Sequence, residues 1–268
     1  MFKNVFSREI MDIQFYKYQG TGNDFVMIDD RDNNFDRSNH KLVSILCDRK
    51  FGVGADGLIL IRNHEQYDFE MIYFNADGHE GSMCGNGGRA IVRFAHDIGV
   101  IGDHTRFIAV DGEHLASVTV DTISLKMADV AGVEKASSFF FMDTGSPHYV
   151  EFLQEDLTQT NVFDKGKEVR YNERFKDVGT NVNFVEQTSP TSLYVRTYER
   201  GVEDETLSCG TGVTACALAS SYLGLKSPVA IETLGGNLSV SFDKSVNGFQ
   251  NIHLIGPAEK VFMGTIDV

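Results

Sequence analysis

The sequence predicts an α+β fold of two pseudo-symmetric halves, each a curved mixed or antiparallel sheet around a central helix. The frame C-G-x-G-x-x-A occurs twice, at Cys84 and at Cys209. In both places a strand-like segment precedes the cysteine and a segment with helical periodicity follows it. Because elements of the same type recur in the same order, we interpret the chain as two copies of one unit.

The first half is assigned to residues 11–130 and contains Cys84. Segments that alternate between apolar and polar residues, or that are continuously apolar, predict strands at 13–18, 25–29, 58–62, 68–75, 106–110 and 114–127. Apolar residues at helical spacing predict helices at 40–50 and 89–98. Met11 is a possible alternative start, because the ten residues before it show little pattern.

The second half is assigned to residues 131–268 and contains Cys209. Its predicted strands follow the glycine turns near 145 and 179 and continue at 192–199, 229–233, 237–242 and 251–255. Helices are predicted at 153–163, 165–175 and 213–223. The last strand could return to the first half.

Composition limits the classes of function. A chain of 268 residues with 42% hydrophobic content can form two ordinary cores. A net charge of −14 provides no basic surface for nucleic acid or anionic membranes. No apolar run approaches the roughly 20 residues that span a bilayer, and the N-terminus does not resemble a secretion signal. We therefore expect a cytoplasmic protein that binds a small polar molecule.

The four cysteines are not arranged for a metal or a disulfide framework. No CxxC pair occurs, which suits a reducing compartment. Cys47 and Cys216 are interpreted as buried core residues. The histidines are scattered and no HExxH motif is present, so no metal site is predicted. The glycine turns lack the GK[ST] of a phosphate loop, which argues against nucleotide binding.

Cys84 and Cys209 are the candidate catalytic residues. A thiol at a helix N-terminus has its thiolate favoured by free N–H groups and the helix dipole, so a low pKa is expected. The adjoining glycines would let a carboxylate approach those N–H groups. Two thiols on opposite sides of an α-carbon could remove a proton from one face and return one to the other. The predicted outcome is inversion at that carbon.

A wider set of motifs resembles the diaminopimelate epimerase family. The motifs are GTGNDF at 20–25, GVGADG at 52–57, FNADG at 74–78, CGNGGR at 84–89, GSPH at 145–148, GTNVNF at 179–184, YERG at 198–201 and CGTG at 209–212. This resemblance implies interconversion of LL- and meso-diaminopimelate, in lysine and peptidoglycan precursor biosynthesis, without pyridoxal phosphate, a metal or any other cofactor. It also implies a homodimer.

The resemblance assigns further residues to the site, with Cys84 and Cys209 as the two bases. The reacting carboxylate would be held by Gly85, Asn86, Gly210 and Thr211. The distal amino acid centre of the substrate would be bound by Asn23, Asn75, Asn181 and Arg200, which suits its two charges. Glu199 and His148 would lie near the reacting amino group and the thiols, with Ser146 supporting them.

Two positions depart from the family pattern. Ser146 stands where many members have asparagine, and Gly57 stands where some have glutamine. A shorter side chain at each would leave the substrate contact to water.

Two alternatives remain open from the sequence. A proline-racemase-like enzyme would act on a smaller amino acid, although Arg200 and the three asparagines argue against a substrate with no distal charge. A non-enzymatic protein would instead use Cys84 and Cys209 as a structural or redox disulfide. Thiol titration separates the disulfide from two free catalytic thiols.

Overall fold

The computed structural model describes residues 12–268, so the possible start at Met11 lies outside the described residues. The helices are α1 His40–Cys47, α2 Gly85–Asp97, α3 Val162–Arg170 and α4 Gly210–Ser220. The strands of the first half are β1 Asp12–Gly20, β2 Asn23–Asp29, β3 Gly57–Arg62, β4 Glu70–Asn75, β5 His104–Ala109, β6 Gly112–Val118 and β7 Ile123–Lys126. The remaining strands are β8 Glu134–Lys135, β9 Phe140–Asp143, β10 Pro147–Phe152, β11 Asn181–Ser189, β12 Ser192–Glu199, β13 Asp204–Thr206, β14 Val229–Thr233, β15 Gly236–Ser245, β16 Gly248–Gly256 and β17 Glu259–Asp267.

Strand pairing follows the same succession in both halves. From β1 to β7, neighbouring strands pair antiparallel, parallel, antiparallel, parallel, antiparallel and antiparallel. The strands β9, β10, β11, β12, β14, β15 and β16 repeat this succession. An antiparallel pairing of β7 with β16 joins the two sheets. The predicted α+β fold of two pseudo-symmetric halves is confirmed.

Each half has one central helix and one outer helix. The central helix α2 packs against β1, β2, β3, β6 and β7, and α4 packs against strands from β9 to β16. Nearly every residue of both central helices is buried, as expected for a helix enclosed by its own sheet. The outer helices α1 and α3 cover separate apolar clusters on the other side of the strands. Each half is therefore layered in the same order.

The two central helices meet at their N-termini. A methyl group on Gly85 would lie 3.4 Å from the Cα atom of Gly210 and 2.7 Å from Cδ2 of Leu254. A methyl group on Gly210 would lie 3.1 Å from the Cα atom of Gly85. Glycine at these two positions therefore allows the helix starts to touch, a packing role that the sequence reasoning did not assign to them.

The chain crosses between the halves at its C-terminal end. β17 pairs antiparallel with β1 and so lies beside the first half. β16 belongs to the second half through β15. We propose a division between residues 130 and 131, with β17 returning to the first half, because the pairing succession ends at β7 and begins again at β9.

Most of the predicted elements are present, but one predicted strand and two predicted helices need correction. The strand predicted at 114–127 is two strands, β6 and β7, separated by residues 119–122. The helix predicted at 153–163 is wrong: a 3-10 turn occupies Leu157–Gln159, and α3 begins only at Val162. The helix predicted at 165–175 ends at Arg170. Asp156 caps the short turn by accepting from the Thr158 N–H group, and Asn161 caps α3. Side chains that cap backbone N–H groups start new helical turns, so this segment is interrupted twice.

Replacing Gly210 with alanine tests the contact between the helix starts. We expect Gly210→Ala to lower the free energy of unfolding by roughly 1–3 kcal/mol, because the added methyl group would lie 3.0 Å from Cδ2 of Leu254 and 3.1 Å from the Cα atom of Gly85. Gly102→Ala is the control, since nothing lies within 4 Å of an added methyl group there. Urea unfolding measures both. Equal stability of the two variants would contradict the proposed close packing.

Candidate active site

A cavity of about 910 Å³ opens where α2 and α4 begin. Both Cys84 and Cys209 line it. The other predicted site residues that line it are Asn23, Asn75, Gly85, Asn86, Ser146, Asn181, Glu199, Arg200, Gly210 and Thr211. His148 lies behind the wall and is fully buried. The structure thus brings the whole predicted set to one place.

Cys84 is the N-cap residue of α2. Its sulfur accepts a hydrogen bond from the Gly87 N–H group at 3.2 Å. The same sulfur lies 4.0 Å from Oδ1 of Asn23. An N-cap thiol that already accepts a backbone N–H group is positioned to carry negative charge, since the bond favours the thiolate.

Cys209 is the N-cap residue of α4, but its surroundings differ. Its side chain makes no capping hydrogen bond, and its sulfur lies 3.5 Å from the Thr211 hydroxyl oxygen. Only 8% of the residue is exposed. The two thiols therefore share a position in the fold without sharing the same hydrogen bonds.

The prediction of low thiol pKa values is wrong. Burial raises the pKa of the Cys84 thiol, although the Gly87 N–H group opposes this. Burial, together with the negative charge of Glu199, raises the pKa of Cys209 to about 12. Desolvation thus outweighs the hydrogen bonds that favour the thiolate at both positions.

All four cysteines of the described residues are free thiols. Cys47 and Cys216 are 3% and 0% exposed, which confirms that they are buried residues. Cys47 also reaches the cavity wall from the end of α1, whereas Cys216 lies within α4, away from the cavity.

His148 holds Thr211 through a defined tautomer. The Asn183 side-chain nitrogen donates to the Tyr149 carbonyl at 2.8 Å and to Nδ1 of His148 at 3.1 Å. Nδ1 is thereby the acceptor, and Nε2 carries the proton that faces the Thr211 hydroxyl oxygen at 2.9 Å. Burial lowers the pKa of His148 to about 3, so the ring is neutral near pH 7. The Thr211 hydroxyl is then free to donate toward Cys209.

Asn181 connects Ser146 with Arg200. Its side-chain nitrogen donates to the Ser146 hydroxyl at 3.0 Å, and its side-chain oxygen accepts from the backbone N–H group of Arg200 at 2.9 Å. The Ser146 hydroxyl also lies 3.0 Å from Nε2 of His148. Because these bonds occupy both ends of the Asn181 amide, its role in this structure is to hold Ser146 and the backbone of Arg200 in place.

Two opposite charges face the cavity on adjacent residues of β12 and the turn after it. Glu199 accepts from the Thr206 hydroxyl at 2.9 Å, and burial raises the pKa of its carboxyl group. Arg200 donates to the Val178 carbonyl at 3.2 Å. Among residues 12–268, no carboxylate lies within 4.0 Å of its guanidinium, which leaves donors for an anion.

Asn86 spans the two halves rather than pointing freely into the cavity. Its side-chain nitrogen donates to the Ser208 carbonyl at 3.0 Å, and its oxygen accepts from Arg89 at 3.1 Å. Its backbone N–H group is one of the first of α2, which have no acceptor within the helix. The backbone of Asn86, and not its amide, is the part suited to an anion.

A charged network orients Asn23. The Asn23 side-chain nitrogen donates to Asp56 at 2.7 Å, which turns its oxygen toward Cys84. Arg49 pairs with both Asp56 and Asp24 at 2.7 Å, and Lys17 pairs with Asp24 at the same distance. The sequence reasoning missed Asp56 and Arg49. The GVGADG motif contained Asp56, but no local pattern showed its partner.

The space beside Gly57 is filled by Tyr73. An added methyl group on Gly57 would lie 2.5 Å from the Tyr73 ring, and one on Gly81 would lie 3.0 Å from the same ring. Tyr73 lines the cavity, and burial raises the pKa of its hydroxyl. The expectation that water replaces a side chain at position 57 is therefore wrong, because an aromatic ring occupies that volume.

Comparison with known proteins identifies the family of this chain. The sequence profile of the family described as diaminopimelate epimerase matches residues 15–130 and 140–261. The chain belongs to the diaminopimelate epimerase family. A protein of Flavobacterium psychrophilum named diaminopimelate epimerase is 50% identical, covering 95% of this chain and 100% of that protein. One from Chlorobaculum tepidum with the same name is 45% identical, covering 92% and 98%.

Solved structures with low identity share the fold of this diaminopimelate epimerase family member. A phenazine biosynthesis protein of the PhzF family from Bacillus anthracis aligns with a TM-score of 0.76 at 13% identity, covering 96% of this chain and 100% of that one. A hydroxyproline epimerase from Agrobacterium vitis aligns with a TM-score of 0.69 at 14% identity, covering 98% and 94%. Among the described residues, none of the helices has the length and apolar character to cross a bilayer.

Proposed function

We propose that this protein interconverts LL- and meso-diaminopimelate by proton transfer between the substrate α-carbon and the thiols of Cys84 and Cys209. The observation that carries the proposal is that both thiols, from opposed helix starts, line one cavity in a member of this family. One thiolate would take the α-proton, and the thiol on the other side would donate a proton to the opposite face. After one turnover the two sulfurs have exchanged protonation states.

The reacting carboxylate would sit at the helix starts. The backbone N–H groups of Gly85, Asn86, Gly210 and Thr211 belong to the first turns of two helices, where donors have no intrahelical acceptor. The positive ends of both helix dipoles meet there. The two positive ends repel each other, and an anion bound between them relieves the repulsion. The substrate carboxylate becomes more negative as the α-proton leaves, so it is stabilised most in the transition state.

The ammonium group of the substrate would offset the negative charge of Glu199 and so lower the pKa of the thiols. Glu199 lies close enough to raise the pKa of both thiols. A bound α-ammonium group would pair with Glu199 and cancel that influence. Formation of a thiolate then becomes easier when substrate is present, and the buried thiols stay protonated otherwise. This accounts for a two-thiol site in which neither cysteine has a low pKa at rest.

The distal end of the cavity suits a second amino acid centre. Arg200 has free donors for a carboxylate, and the Asn23 and Asn75 amides supply oxygen atoms for an ammonium group. Asn181 would act through Arg200 and Ser146. A smaller amino acid would leave this guanidinium without a partner, which favours diaminopimelate over a proline-like substrate.

We propose that no pyridoxal phosphate is used and that the enzyme is cytoplasmic, in lysine and peptidoglycan precursor synthesis. Pyridoxal phosphate is held by a lysine Schiff base. Within the described residues, no lysine lines the cavity. The thiols of all four cysteines are free, as suits a reducing compartment.

Deuterium exchange tests the reaction. LL-diaminopimelate incubated in deuterium oxide should acquire deuterium at one α-carbon while its configuration inverts. We expect Cys84→Ala and Cys209→Ala each to lose inversion by at least about 10²-fold, because each removes one acid–base partner. Mass spectrometry and chiral chromatography measure both events.

Cys216→Ala is the matched control for this experiment, since it removes a thiol of α4 that lies outside the cavity. It should retain inversion and lose only stability. Full turnover by Cys84→Ala or by Cys209→Ala would refute the two-thiol mechanism.

We propose a homodimer that forms through β17. Within residues 12–268, β17 pairs along one side only, with β1. Val261, Phe262 and Met263 on this strand are 56%, 46% and 50% exposed. An apolar strand at a sheet edge is a typical association surface.

Light scattering after size exclusion should give a dimer mass for the wild-type protein and a monomer mass for Val261→Glu. Val246→Glu is the control, because Val246 is equally apolar and fully exposed in the turn between β15 and β16. A dimer that persists in Val261→Glu, or a monomeric wild type, would contradict this assignment.

A further inference from the structure

The two cysteine frames differ at one charged position. Five residues after Cys84 stands Arg89, and five residues after Cys209 stands Thr214. Both side chains donate to the first carbonyl of their helix: Arg89 Nη1 to Gly85 at 3.2 Å, and Thr214 Oγ1 to Gly210 at 2.9 Å. The backbone contact is thus shared, while the positive charge is present at only one of the two helix starts.

Arg89 is fully buried without a counter-ion. It is 0% exposed, and its other acceptors are neutral: the Thr21 hydroxyl, the Asn86 amide oxygen and the Pro257 carbonyl. In the part of the chain that the structure describes, no carboxylate lies within 4.0 Å of its guanidinium. An unpaired buried charge is costly, and neutral threonine makes the same backbone contact in the other half. We therefore expect the positive charge of Arg89 to have a role beyond this backbone contact.

The guanidinium lies beside the first turn of α2. It contacts Gly85 and Asn86, the two residues that follow Cys84. Burial lowers the pKa of Arg89 to about 10, so the side chain stays charged near pH 7. In this low-dielectric setting a fixed positive charge acts over several ångströms.

Besides Glu199 and Arg200, three charged residues line the cavity, and each of them is paired: Arg49 with Asp56, and Glu205 with Arg196. Glu199 on β12 raises the pKa of both thiols. On the side of Cys84, Tyr73 of β4 is neutral, and Arg89 of α2 lowers the thiol pKa. On the side of Cys209, Thr211 and His148 are neutral. Of these fixed charges, Glu199 shifts the pKa of both thiols, whereas Arg89 shifts that of Cys84 and not that of Cys209.

We propose that Arg89 is a positioning residue whose buried charge makes the two thiols unequal, so that Cys84 is the one that ionises first while Cys209 keeps its proton. This assignment rests on the proposed two-thiol function and adds which sulfur becomes the thiolate. Proton exchange needs one thiolate and one thiol once substrate is bound. A single fixed charge selects one of the two productive arrangements.

The test is the pH dependence of thiol alkylation by iodoacetamide, which is uncharged and requires no substrate. Cys209→Ala reports on Cys84, Cys84→Ala reports on Cys209, and peptide mapping identifies the modified residue. We expect Cys84 to react at lower pH than Cys209. In the Cys209→Ala protein, Arg89→Gln should slow the alkylation of Cys84 near neutral pH by about tenfold, and Arg89→Lys should restore most of it.

The Cys209 profile is the internal control, since Arg89→Gln should leave it nearly unchanged. An Arg89→Gln substitution that does not move the Cys84 profile, or that moves both profiles equally, would overturn the proposal. If Arg89→Gln does not fold, the two single-cysteine variants that keep Arg89 still test the proposal. If Cys84 is alkylated at no lower pH than Cys209, the proposal is refuted. Because alkylation is read without substrate, this result is independent of whether diaminopimelate is turned over.

Discussion

The contact between Gly85 and Gly210 is the constraint on which the site depends. Two buried helices approach until an added methyl group on one would meet the backbone of the other. Each helix is enclosed by its own sheet, and the sheets are joined through β7 and β16. The N-cap residues of both helices are cysteines, so this packing places two thiols at one cavity. The chemistry follows from how the two halves pack.

Electrostatics in this cavity are set by a balance between burial and a few fixed charges. Desolvation raises the pKa of both thiols, and Glu199 adds to the effect. The Gly87 N–H group near Cys84 and the Thr211 hydroxyl near Cys209 act in the opposite direction but do not outweigh burial. We infer that a substrate bearing an ammonium and a carboxylate group would compensate both Glu199 and the helix ends, and that Arg89 decides which sulfur responds first.

Much of the site could be predicted from the sequence because the chain repeats itself. The two C-G-x-G-x-x-A frames indicated two equivalent helix starts, and strand alternation around them indicated two equivalent sheets. Contacts between distant segments gave no local signal. The pairings of β3 with β2 and β4 create two such contacts. Asp56 accepts from Asn23, and Tyr73 fills the space beside Gly57. The prediction of a helix at 153–163 was wrong for a local reason. Capping by Asp156 and Asn161 interrupts the helix there despite the apolar spacing.

The central claim is that Cys84 and Cys209 face one another across a single cavity. Treatment with 1,3-dibromoacetone tests it directly, because two thiols must displace two bromides from a three-carbon reagent to form a bridge. Peptide mapping of the modified protein should find one intramolecular bridge between Cys84 and Cys209. Separate adducts on the two cysteines, with no bridge in the same chain, would contradict the account.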